Sequence, residues 1–295
     1  MIGRHDRRET INIVKPILVF QTDFTYKEAA VSAMYGVVKS VDRDLEIITG
    51  THEIPNYDIW SGSFRLYQPM QFWPKGTIFV SVIDPGVGTS RRACIAQTKN
   101  GYTIVTPDNG SLTHVAEHFG IERVVEIDID RHRLKGQGTE GISVFHGRDV
   151  FAYCAAQLAS GQVAFEDFGT EYTVDEIVTF DLIEPVQGKN RLTGMGEIID
   201  PNFGNYWTNI PFAWLKDQAG KSVWVIVRSA SGEVVFDEPI QIHKTFGEVS
   251  LGELTIYQNE FANLSLAINQ GSFISKYDLP YGVGVSVEVV LSEEE

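Results

Sequence analysis

The stretch VIDPGVGTSRR, residues 82–92, joins a carboxylate to a guanidinium group through a glycine-containing loop. It completes the β-branched run TIFVSVI, and its first charged residues are Asp84 and Arg91. It is not a phosphate-binding P-loop, because it lacks the Lys-Ser/Thr pair and the spacing of that motif. Two interpretations are open. Either Asp84 caps a tight turn and the arginines face solvent, or Asp84 and Arg91 form a charge pair that fixes a nucleophile or a third residue.

A second group of chemically capable residues lies in VFHGRD, which places His146 and Asp149 just ahead of a helical pattern. His146 is expected to project from a glycine-flanked turn, where an imidazole is either a catalytic group or a structural hydrogen-bonding group. We interpret Asp149 as a helix N-cap, since a carboxylate suits that position.

The sequence HVAEH, from His114 to His118, matches the H-x-x-E-H spacing of some zinc-binding helices. The predicted helix is short, bounded by Gly110 and Gly120, and no further ligand is recognisable. We therefore favour a solvated helix face over a zinc site.

An unusually aromatic loop follows later in the chain, in DPNFGNYWTNI, residues 200–210. Aromatic faces with an interspersed asparagine can sandwich and hydrogen-bond a flat heterocycle such as adenine, and Phe203, Tyr206 and Trp207 supply those faces. The alternative is that these rings pack a core between domains.

The elements that must position these residues fall into two groups with different periodicity. From Pro16 to about Gly161, apolar runs rich in Val and Ile alternate with helical patterns. The runs ILVF, LEIIT, TIFVSVI, YTIVT and RVVEID predict strands, and the alternation predicts an α/β N-terminal domain with a largely parallel central sheet.

Two helices are predicted in this first group. The segment TYKEAAVSAMYGVVKSV has Thr25 and Glu28 at the spacing of a capping box, followed by an apolar helical face. The segment RDVFAYCAAQLASG carries Val150, Cys154 and Leu158 at helical spacing and closes on Gly161.

Three aspartates follow the predicted strands directly: Asp23, Asp84 and Asp108. Each by itself is a common turn or cap residue. Because open α/β sheets bind ligands outside the carboxyl ends of their strands, we expect these three to mark the edge that carries the site.

After roughly Phe180 the pattern changes to period two. SVWVIVRSASGEVVFDEPIQI predicts a hairpin and GVGVSVEVVL a further strand, so a smaller all-β domain follows. We predict an N-terminal tail over residues 1–14, the α/β domain over 15–180, a linker over 181–192 and the β domain over 193–295.

The composition restricts the class of partner. The chain has 295 residues, 43% of them hydrophobic and 21% charged, which is typical of a globular protein. Its formal charge of −15 argues against nucleic acid, and no apolar run is long enough to span a membrane. Cys94 and Cys154 fit no metal or redox spacing and are expected to be reduced core residues, consistent with a cytoplasmic protein.

Taken in order, the motifs resemble those of the S-adenosylmethionine hydroxide adenosyltransferase family, relatives of the fluorinating and chlorinating enzymes. The matching stretches run from residue 22 to about 271: TDF, THEIPNYD, DPGVGTSRR, PDNGSLT, FHGRD, DPNFGNYWTNI and AINQG. The resemblance implies an α/β domain joined to a small β-barrel-like domain. It also implies a homotrimer with each site between one subunit's N-terminal domain and a neighbour's C-terminal domain.

The resemblance further implies how S-adenosylmethionine is bound. Asp23 would hold the ribose hydroxyls, and Tyr57 would pack against the nucleoside. The remaining implied contacts are the adenine, surrounded by Phe203, Asn205 and Phe246, and the methionine ammonium, which faces Asp200. Halogenating relatives hold the methionine carboxylate with a Ser-Arg pair, whereas the corresponding stretch here is NEFAN, residues 259–263.

The family chemistry is displacement at the ribose C5′, and the hydrolytic branch carries an Asp–Arg–His trio, here Asp84, Arg91 and His146. We expect this trio to orient water, with a carboxylate or imidazole accepting its proton. In halogenating relatives the position of Asp84 is a tyrosine, since a carboxylate would repel a desolvated halide.

The sequence therefore predicts hydrolysis of S-adenosylmethionine to adenosine and methionine, without metal or organic cofactor. The alternatives are a non-catalytic sensor of S-adenosylmethionine or adenosine, a 5′-halogenase, and a metallohydrolase built on His114 and His118.

Overall fold

The computed structural model describes residues 14–136, 138–141 and 143–291, so nearly all of the predicted N-terminal tail lies outside the described residues. The chain divides into two compact units, the first ending at Thr179 and the second beginning at Phe180. Within the part of the chain that the structure describes, no helix is long and apolar enough to cross a membrane.

The first unit is built on a seven-stranded sheet with the order β2-β1-β3-β5-β4-β6-β7. Its strands are β1 (Leu18–Thr22), β2 (Ile47–Thr51), β3 (Ile78–Val82), β4 (Ala93–Thr98), β5 (Thr103–Pro107), β6 (Ile121–Ile127) and β7 (Gly169–Tyr172). The predicted fold class is confirmed, but the sheet is mixed. The pairs β1–β2, β1–β3 and β3–β5 are parallel, and the pairs on the β4 side are antiparallel.

The parallel half of the sheet is the part that positions the predicted site. Every residue of β1 and β3 is buried, as expected for strands covered on both faces. Because β1, β3 and β5 are neighbours and run in one direction, their carboxyl ends lie at the same edge. Asp23, Asp84 and Asp108 come immediately after, or within two residues of, those ends.

Helices cover this sheet. They are α1 (Ala30–Val41), α2 (Ile59–Met70), α3 (Thr113–Phe119), α4 (Ile129–His132) and α5 (Tyr153–Ala159), with a π-helical turn (Gly147–Ala152) leading into α5. Met34 and Val38 of α1, together with Phe151 and Cys154 of the later pair, join the core against Phe20.

The capping box predicted for α1 is wrong. The helix begins only at Ala30, its N-cap residue Ala29 makes no side-chain cap bond, and Thr25 has a positive φ of 56°. The Thr25 hydroxyl instead accepts from the Lys27 amide, and Glu28 accepts from the Ala30 amide. Both polar side chains therefore stabilise the irregular segment that precedes the helix.

The second unit is a strongly curved antiparallel sheet with the order β12-β11-β15-β9-β10-β14-β13. Its strands are β8 (Val186–Gln187), β9 (Arg191–Asp200), β10 (Asn205–Pro211), β11 (Ser222–Arg228), β12 (Val234–Gln241), β13 (Leu254–Gln258), β14 (Asn263–Ile268) and β15 (Ser286–Val290). A bridge between Ile242 and Ile256 connects its two edges, which makes the unit barrel-like and confirms the predicted class.

The hairpin predicted around SASGE is confirmed as β11 and β12, closed by a bond from the Ser229 amide to Glu233. One helix, α6 (Phe273–Tyr277), packs against the core of this unit. Residues 181–192, the predicted linker, contain β8 and the first residues of β9, and these strands pair with each other.

Candidate functional site

Two of the strand-end aspartates carry the first part of the site. Asp23 and Asp84 are buried, with 5% of the Asp23 residue and 5% of the Asp84 side chain exposed. Burial, and to a smaller extent the nearby charge of Asp84, raise the pKa of Asp23. Asp108 has a structural role instead: it accepts from the Tyr172 hydroxyl at 2.9 Å and from the Val178 amide at 2.8 Å.

Asp84 and Arg91 form the charge pair that the loop composition allowed. The Arg91 Nε donates to Asp84 Oδ1 at 2.9 Å, and the Arg91 Nη2 donates to Oδ2, so the pair is bidentate. Only 9% of the Arg91 side chain and 5% of the Asp84 side chain are exposed. The alternative, in which Asp84 caps a turn and Arg91 faces solvent, is excluded by this geometry.

His146 completes a chain of three side chains. Its Nδ1 lies 3.0 Å from the Arg91 Nη2, and the residue is buried. A guanidinium can only donate, so Nδ1 accepts and the proton of the neutral ring is on Nε2. Burial, and then the neighbouring charge of Arg91, lower the pKa of His146, which favours that neutral form.

The Nη1 atom of Arg91 is available to donate a further hydrogen bond. Within the described residues its buried Nη1 has no hydrogen-bond partner, and the guanidinium carbon lies 5.2 Å from the centre of the Phe151 ring. A buried donor without a partner is costly unless a ligand or water satisfies it. Arg91 is thus fixed on one side by Asp84 and able to hold a polar atom on the other.

The backbone holds the Asp23 carboxylate. Its Oδ2 accepts from the Tyr57 amide at 2.9 Å, and Tyr57 has a positive φ of 67°, a strained conformation for a side chain of this size. The Tyr57 side chain is 71% exposed. Burial raises the pKa of Asp23, and the Tyr57 bond partly opposes that shift. Asp23 is therefore a desolvated carboxylate with acceptor capacity left.

Asp149 is not the helix N-cap that the sequence suggested. The residue before the π-helical turn is His146, and Asp149 is buried within the turn, where it accepts from Arg148 at 2.6 and 3.1 Å. The burial of Asp149 requires this charged partner, and the pairing removes it from capping.

The face that carries His114 is not solvated, which corrects the interpretation favoured above. His114 is fully buried, and its Nδ1 lies 2.9 Å from the Ser63 hydroxyl, while the His118 ring stacks on Tyr67 at 4.3 Å. Burial lowers the pKa of His114 to about 3. Across residues 14–136, 138–141 and 143–291, no three His, Cys, Asp or Glu side chains are grouped to hold a metal ion.

The second unit contains a separate cavity of about 1000 Å³. Four of the residues that the resemblance assigns to substrate binding line it: Asp200, Phe203, Asn205 and Phe246. The cavity lies where the β9–β10 turn meets the end of β14 and the turn at Phe246. The structure thus brings together the three residues that the resemblance implies around an adenine, Phe203, Asn205 and Phe246.

The aromatic rings of this loop divide between cavity and core. Phe203 is 74% exposed and faces away from the core, whereas Tyr206 is fully buried and donates to the Pro280 carbonyl at 2.7 Å. Trp207 lines the cavity and donates through Nε1 to the Tyr257 hydroxyl at 3.2 Å. Phe203 and Trp207 thus line the cavity, while Tyr206 belongs to the core of the second unit.

The acidic side of the cavity is formed by Asp200 and Glu260. Asp200 is held by the amides of Asn202 and Phe203, at 3.2 and 3.4 Å from its Oδ1. In the part of the chain that the structure describes, no Lys, Arg or His lines this cavity. The lining is suited to a cationic amine.

Sequence reasoning missed one set of buried polar residues beside Asp23, centred on His52. His52 is 1% exposed and bonded through both ring nitrogens. The motif THEIPNYD contains it, and a histidine directly after a predicted strand was the available signal.

The fold is shared with a solved structure. The chain matches a crystal structure of an uncharacterized conserved protein from Thermotoga maritima with a TM-score of 0.80 and 32% identity, over 93% of this chain and all of that one. This chain thus combines an α/β unit that carries the charged trio with a β unit that carries an aromatic-lined cavity.

The chain belongs to the SAM hydroxide adenosyltransferase family. Residues 18–169 match its N-terminal domain and residues 197–286 its C-terminal domain. An (R)-S-adenosyl-L-methionine hydrolase from Methanocaldococcus jannaschii is 35% identical over 66% of this chain and 66% of its own length. A fluorinase from an Actinoplanes species is 28% identical over 92% of this chain and 97% of its own length.

Proposed function

We propose that this protein hydrolyses S-adenosyl-L-methionine, by attack of water at the ribose C5′, to adenosine and L-methionine. The observation that carries this proposal is the buried chain of Asp84, Arg91 and His146 beside Asp23. A site that only binds adenosine has no need of a buried carboxylate, guanidinium and imidazole joined in series. The name of the Methanocaldococcus relative specifies the R epimer, and we include that sulfonium configuration in the proposed substrate.

The trio orients the attacking water. Arg91 offers its partnerless Nη1, and His146 offers its Nε2 proton, so both act as donors to the water oxygen. His146 is unable to accept a proton at Nδ1 while Arg91 occupies that atom. The proton acceptor is therefore Asp84, whose two oxygens retain lone pairs beyond the two that bind Arg91.

The bond changes balance without an external reactant. The water oxygen forms a bond to C5′ as the C5′–sulfur bond breaks, and the electron pair of that bond neutralises the sulfonium to give methionine. The water proton goes to Asp84 and then to solvent. Since the leaving group is already cationic, the reaction calls for no metal or organic cofactor, and we propose none.

A halide is the alternative nucleophile, and it is considered because one relative is a fluorinase. Asp84 disfavours it: a desolvated halide beside a buried carboxylate is repelled by several kcal/mol. Water has no net charge and gains a proton acceptor from the same carboxylate. The proposal therefore predicts that added chloride or fluoride does not divert the product.

Substrate binding follows the resemblance. Asp23 holds the ribose hydroxyls, and Tyr57 packs against the nucleoside. Phe203, Asn205 and Phe246 hold the adenine, which is supported by their common cavity. Asp200 receives the methionine ammonium, in keeping with the absence of a cation among the described lining residues.

A homotrimer in the cytoplasm completes the proposal. Each substrate would be held by the N-terminal domain of one subunit and the C-terminal domain of its neighbour, as the resemblance implies. The two cysteines are buried and free, as a reducing compartment requires. Analytical ultracentrifugation tests the trimer, and fractionation of the source cells tests the location.

The deciding experiment is turnover in water enriched in oxygen-18. Purified protein is incubated with each sulfonium epimer, with and without added chloride or fluoride and with and without a strong chelator. Products are separated by chromatography, and their masses are measured by mass spectrometry. From the R epimer we expect adenosine that carries the label at its 5′ oxygen, in equal amount with and without halide or chelator.

Each of the other outcomes would contradict the proposed function in a different way. Tight binding without adenosine formation would make the protein a sensor. A 5′-halogenated nucleoside would make it a halogenase. Loss of activity with chelator, restored by a metal ion, would contradict the proposed metal-free reaction.

A further inference from the structure

A line of hydrogen-bonded side chains runs from the surface to the loop that carries Asp23. The Tyr26 hydroxyl lies 2.7 Å from the Thr49 hydroxyl, which lies 2.7 Å from the Tyr35 hydroxyl. Tyr35 is 2.8 Å from the Nε2 of His52, and the Nδ1 of His52 is 2.8 Å from the Thr22 hydroxyl. None of these residues belongs to the trio or to the cavity of the second unit.

His52 is the central member of this line. Its ring is almost completely buried, and both nitrogens are bonded to hydroxyl groups, so a rotation of the ring breaks at least one bond. Edge-to-face contact with Tyr26, with ring centres 5.0 Å apart, fixes the ring on a third side. Burial lowers the pKa of His52 to about 4, so the ring is neutral at ordinary pH.

The contacts of His52 bracket Asp23 in the chain. On one side, the Thr22 hydroxyl meets the His52 ring and accepts from the Phe24 amide at 3.1 Å. On the other, the His52 carbonyl accepts from the Thr25 amide at 2.8 Å. Thr25 has the positive φ of 56°, so the backbone turns sharply just after Asp23. His52 therefore restrains the path of residues 22–25 on both sides of Asp23.

The fixed path matters because Asp23 has few direct restraints. Its carboxylate is bonded by two backbone amides, that of Tyr57 and its own, and its burial leaves the remaining acceptor capacity for a ligand. A shift of about 1 Å in a positioned group costs up to a hundredfold in rate. Small movements of residues 22–25 would thus be felt at the ribose.

We propose that His52 is a positioning residue, which holds Asp23 at the place where it reads the ribose hydroxyls. His52 does this through Thr22 on one side and the Thr25 amide on the other, while Tyr35 fixes the ring. The ribose contact of Asp23 is part of the proposed function, and this inference rests on it.

The test measures ribose discrimination. For each variant, kcat/KM is determined for S-adenosylmethionine and for its 2′-deoxyadenosyl analogue, and the ratio of the two is compared with that of the wild type. In Thr22→Val and Tyr35→Phe we expect kcat/KM for the ribose substrate to fall about tenfold, with a nearly equal fall in the ratio. Thr22→Ser restores the hydroxyl and should restore the ratio. Asp23→Asn gives the reference ratio of kcat/KM values for an enzyme that no longer recognises the ribose hydroxyls.

A matched control separates positioning from general weakening of the fold. Ser63→Ala removes the hydroxyl partner of another buried histidine of this unit, His114. This variant should lose stability but retain the ribose-to-deoxyribose ratio. An unchanged ratio in both Thr22→Val and Tyr35→Phe, at equal loss of stability, would overturn the inference.

A second readout does not depend on activity. Hydrogen exchange of the Tyr57 amide reports whether Asp23 still accepts its bond. We expect faster exchange in Thr22→Val than in wild type, and no change in Ser63→Ala. If wild type forms no adenosine, the proposed function fails, and exchange at Tyr57 still decides the role of His52. If wild type is active and exchange at Tyr57 is the same in all variants, the positioning role alone is refuted.

Discussion

The substitution Asp84→Asn removes one charge from the trio and almost no volume. It leaves the Arg91 guanidinium, with 9% of its side chain exposed, without the carboxylate that binds it at two points. Removing one partner of a buried ion pair costs about 3–5 kcal/mol in the free energy of unfolding. For a domain of this size each kcal/mol lowers Tm by roughly 2–4 °C, so a fall of roughly 6–20 °C is expected.

The same substitution removes the proposed proton acceptor. Loss of a positioned acid or base lowers kcat by about 10²–10⁴. Because Asp84 does not touch the adenine or the amino acid in the proposed site, KM should change much less than kcat. Thermal unfolding and initial rates of adenosine formation, measured on the same preparation, give both quantities.

The first unit contains an internal control of the same geometry. Arg123 binds Glu171 through two parallel bonds of 3.0 and 2.9 Å, but this pair is at the surface. Glu171→Gln should leave Tm and kcat close to those of wild type, because solvent screens an exposed pair. If Asp84→Asn behaves like Glu171→Gln in both measurements, the buried pair has neither the energetic nor the catalytic role assigned to it.

Three further predictions follow from other parts of the molecule. Burial lowers the pKa of His52 to about 4 and of His114 to about 3, so between about pH 6.5 and 4 each ring binds a proton in the unfolded chain and not in the folded one, and each lowers the free energy of unfolding as the pH decreases. Burial raises the pKa of Glu197 to about 7, which acts in the opposite direction, so the rings are followed one by one in an NMR titration, where a ring protonated at about pH 5.5 would contradict its burial. Phe203→Ala should raise KM about 3–10-fold through loss of stacking, with Tm unchanged because the side chain is 74% exposed; a large fall in Tm would show that Phe203 packs the fold instead. A Cβ at Gly196 would overlap the buried Tyr206 hydroxyl, so Gly196→Ala should destabilise the second unit by about 1–3 kcal/mol or more in chemical unfolding, and a wild-type midpoint would exclude that close contact.

The parts of the site that sequence could predict are those set by strand ends. A carboxylate after a buried β-branched run is placed by the sheet itself, so Asp23 and Asp84 were expected at one edge and are found there. The pairing of Asp84 with Arg91 was one of two interpretations of this loop, and the structure has it across seven residues of a tight turn. In both cases the position of the side chain depends on residues that are close to it in the sequence.

The wrong predictions involve competition that a short stretch does not reveal. Thr25 and Glu28 have capping-box spacing, yet the contact of the Thr25 amide with His52 holds Thr25 in a turn. Asp149 is a residue type that is common at helix N-caps, yet in its buried position it accepts from Arg148 instead. In both cases tertiary contacts or burial fixed the backbone position, and the side chains then bonded to groups within two residues of themselves.

The mixed sheet has a related origin. The run ACIAQT in β4 was not predicted as a strand, because its small and polar residues give little β signal. Since β4 lies between β5 and β6 and is antiparallel to both, missing it also hid the change from parallel to antiparallel pairing. Its almost complete burial comes from neighbours distant in sequence.

The π-helical turn at Gly147–Ala152 makes the geometry of the trio sensitive to the deletion of a single residue. A π turn contains one residue more than an α turn, so it equals a one-residue insertion held in the fold. Losing a single codon there would restore an α-helix and rotate the preceding chain by about 100° relative to Cys154. The core face of α5 would survive, while His146 would leave Arg91. In-frame deletion at this point thus separates folding from chemistry, and in a set of homologous genes it would mark lineages that kept the scaffold and abandoned the trio.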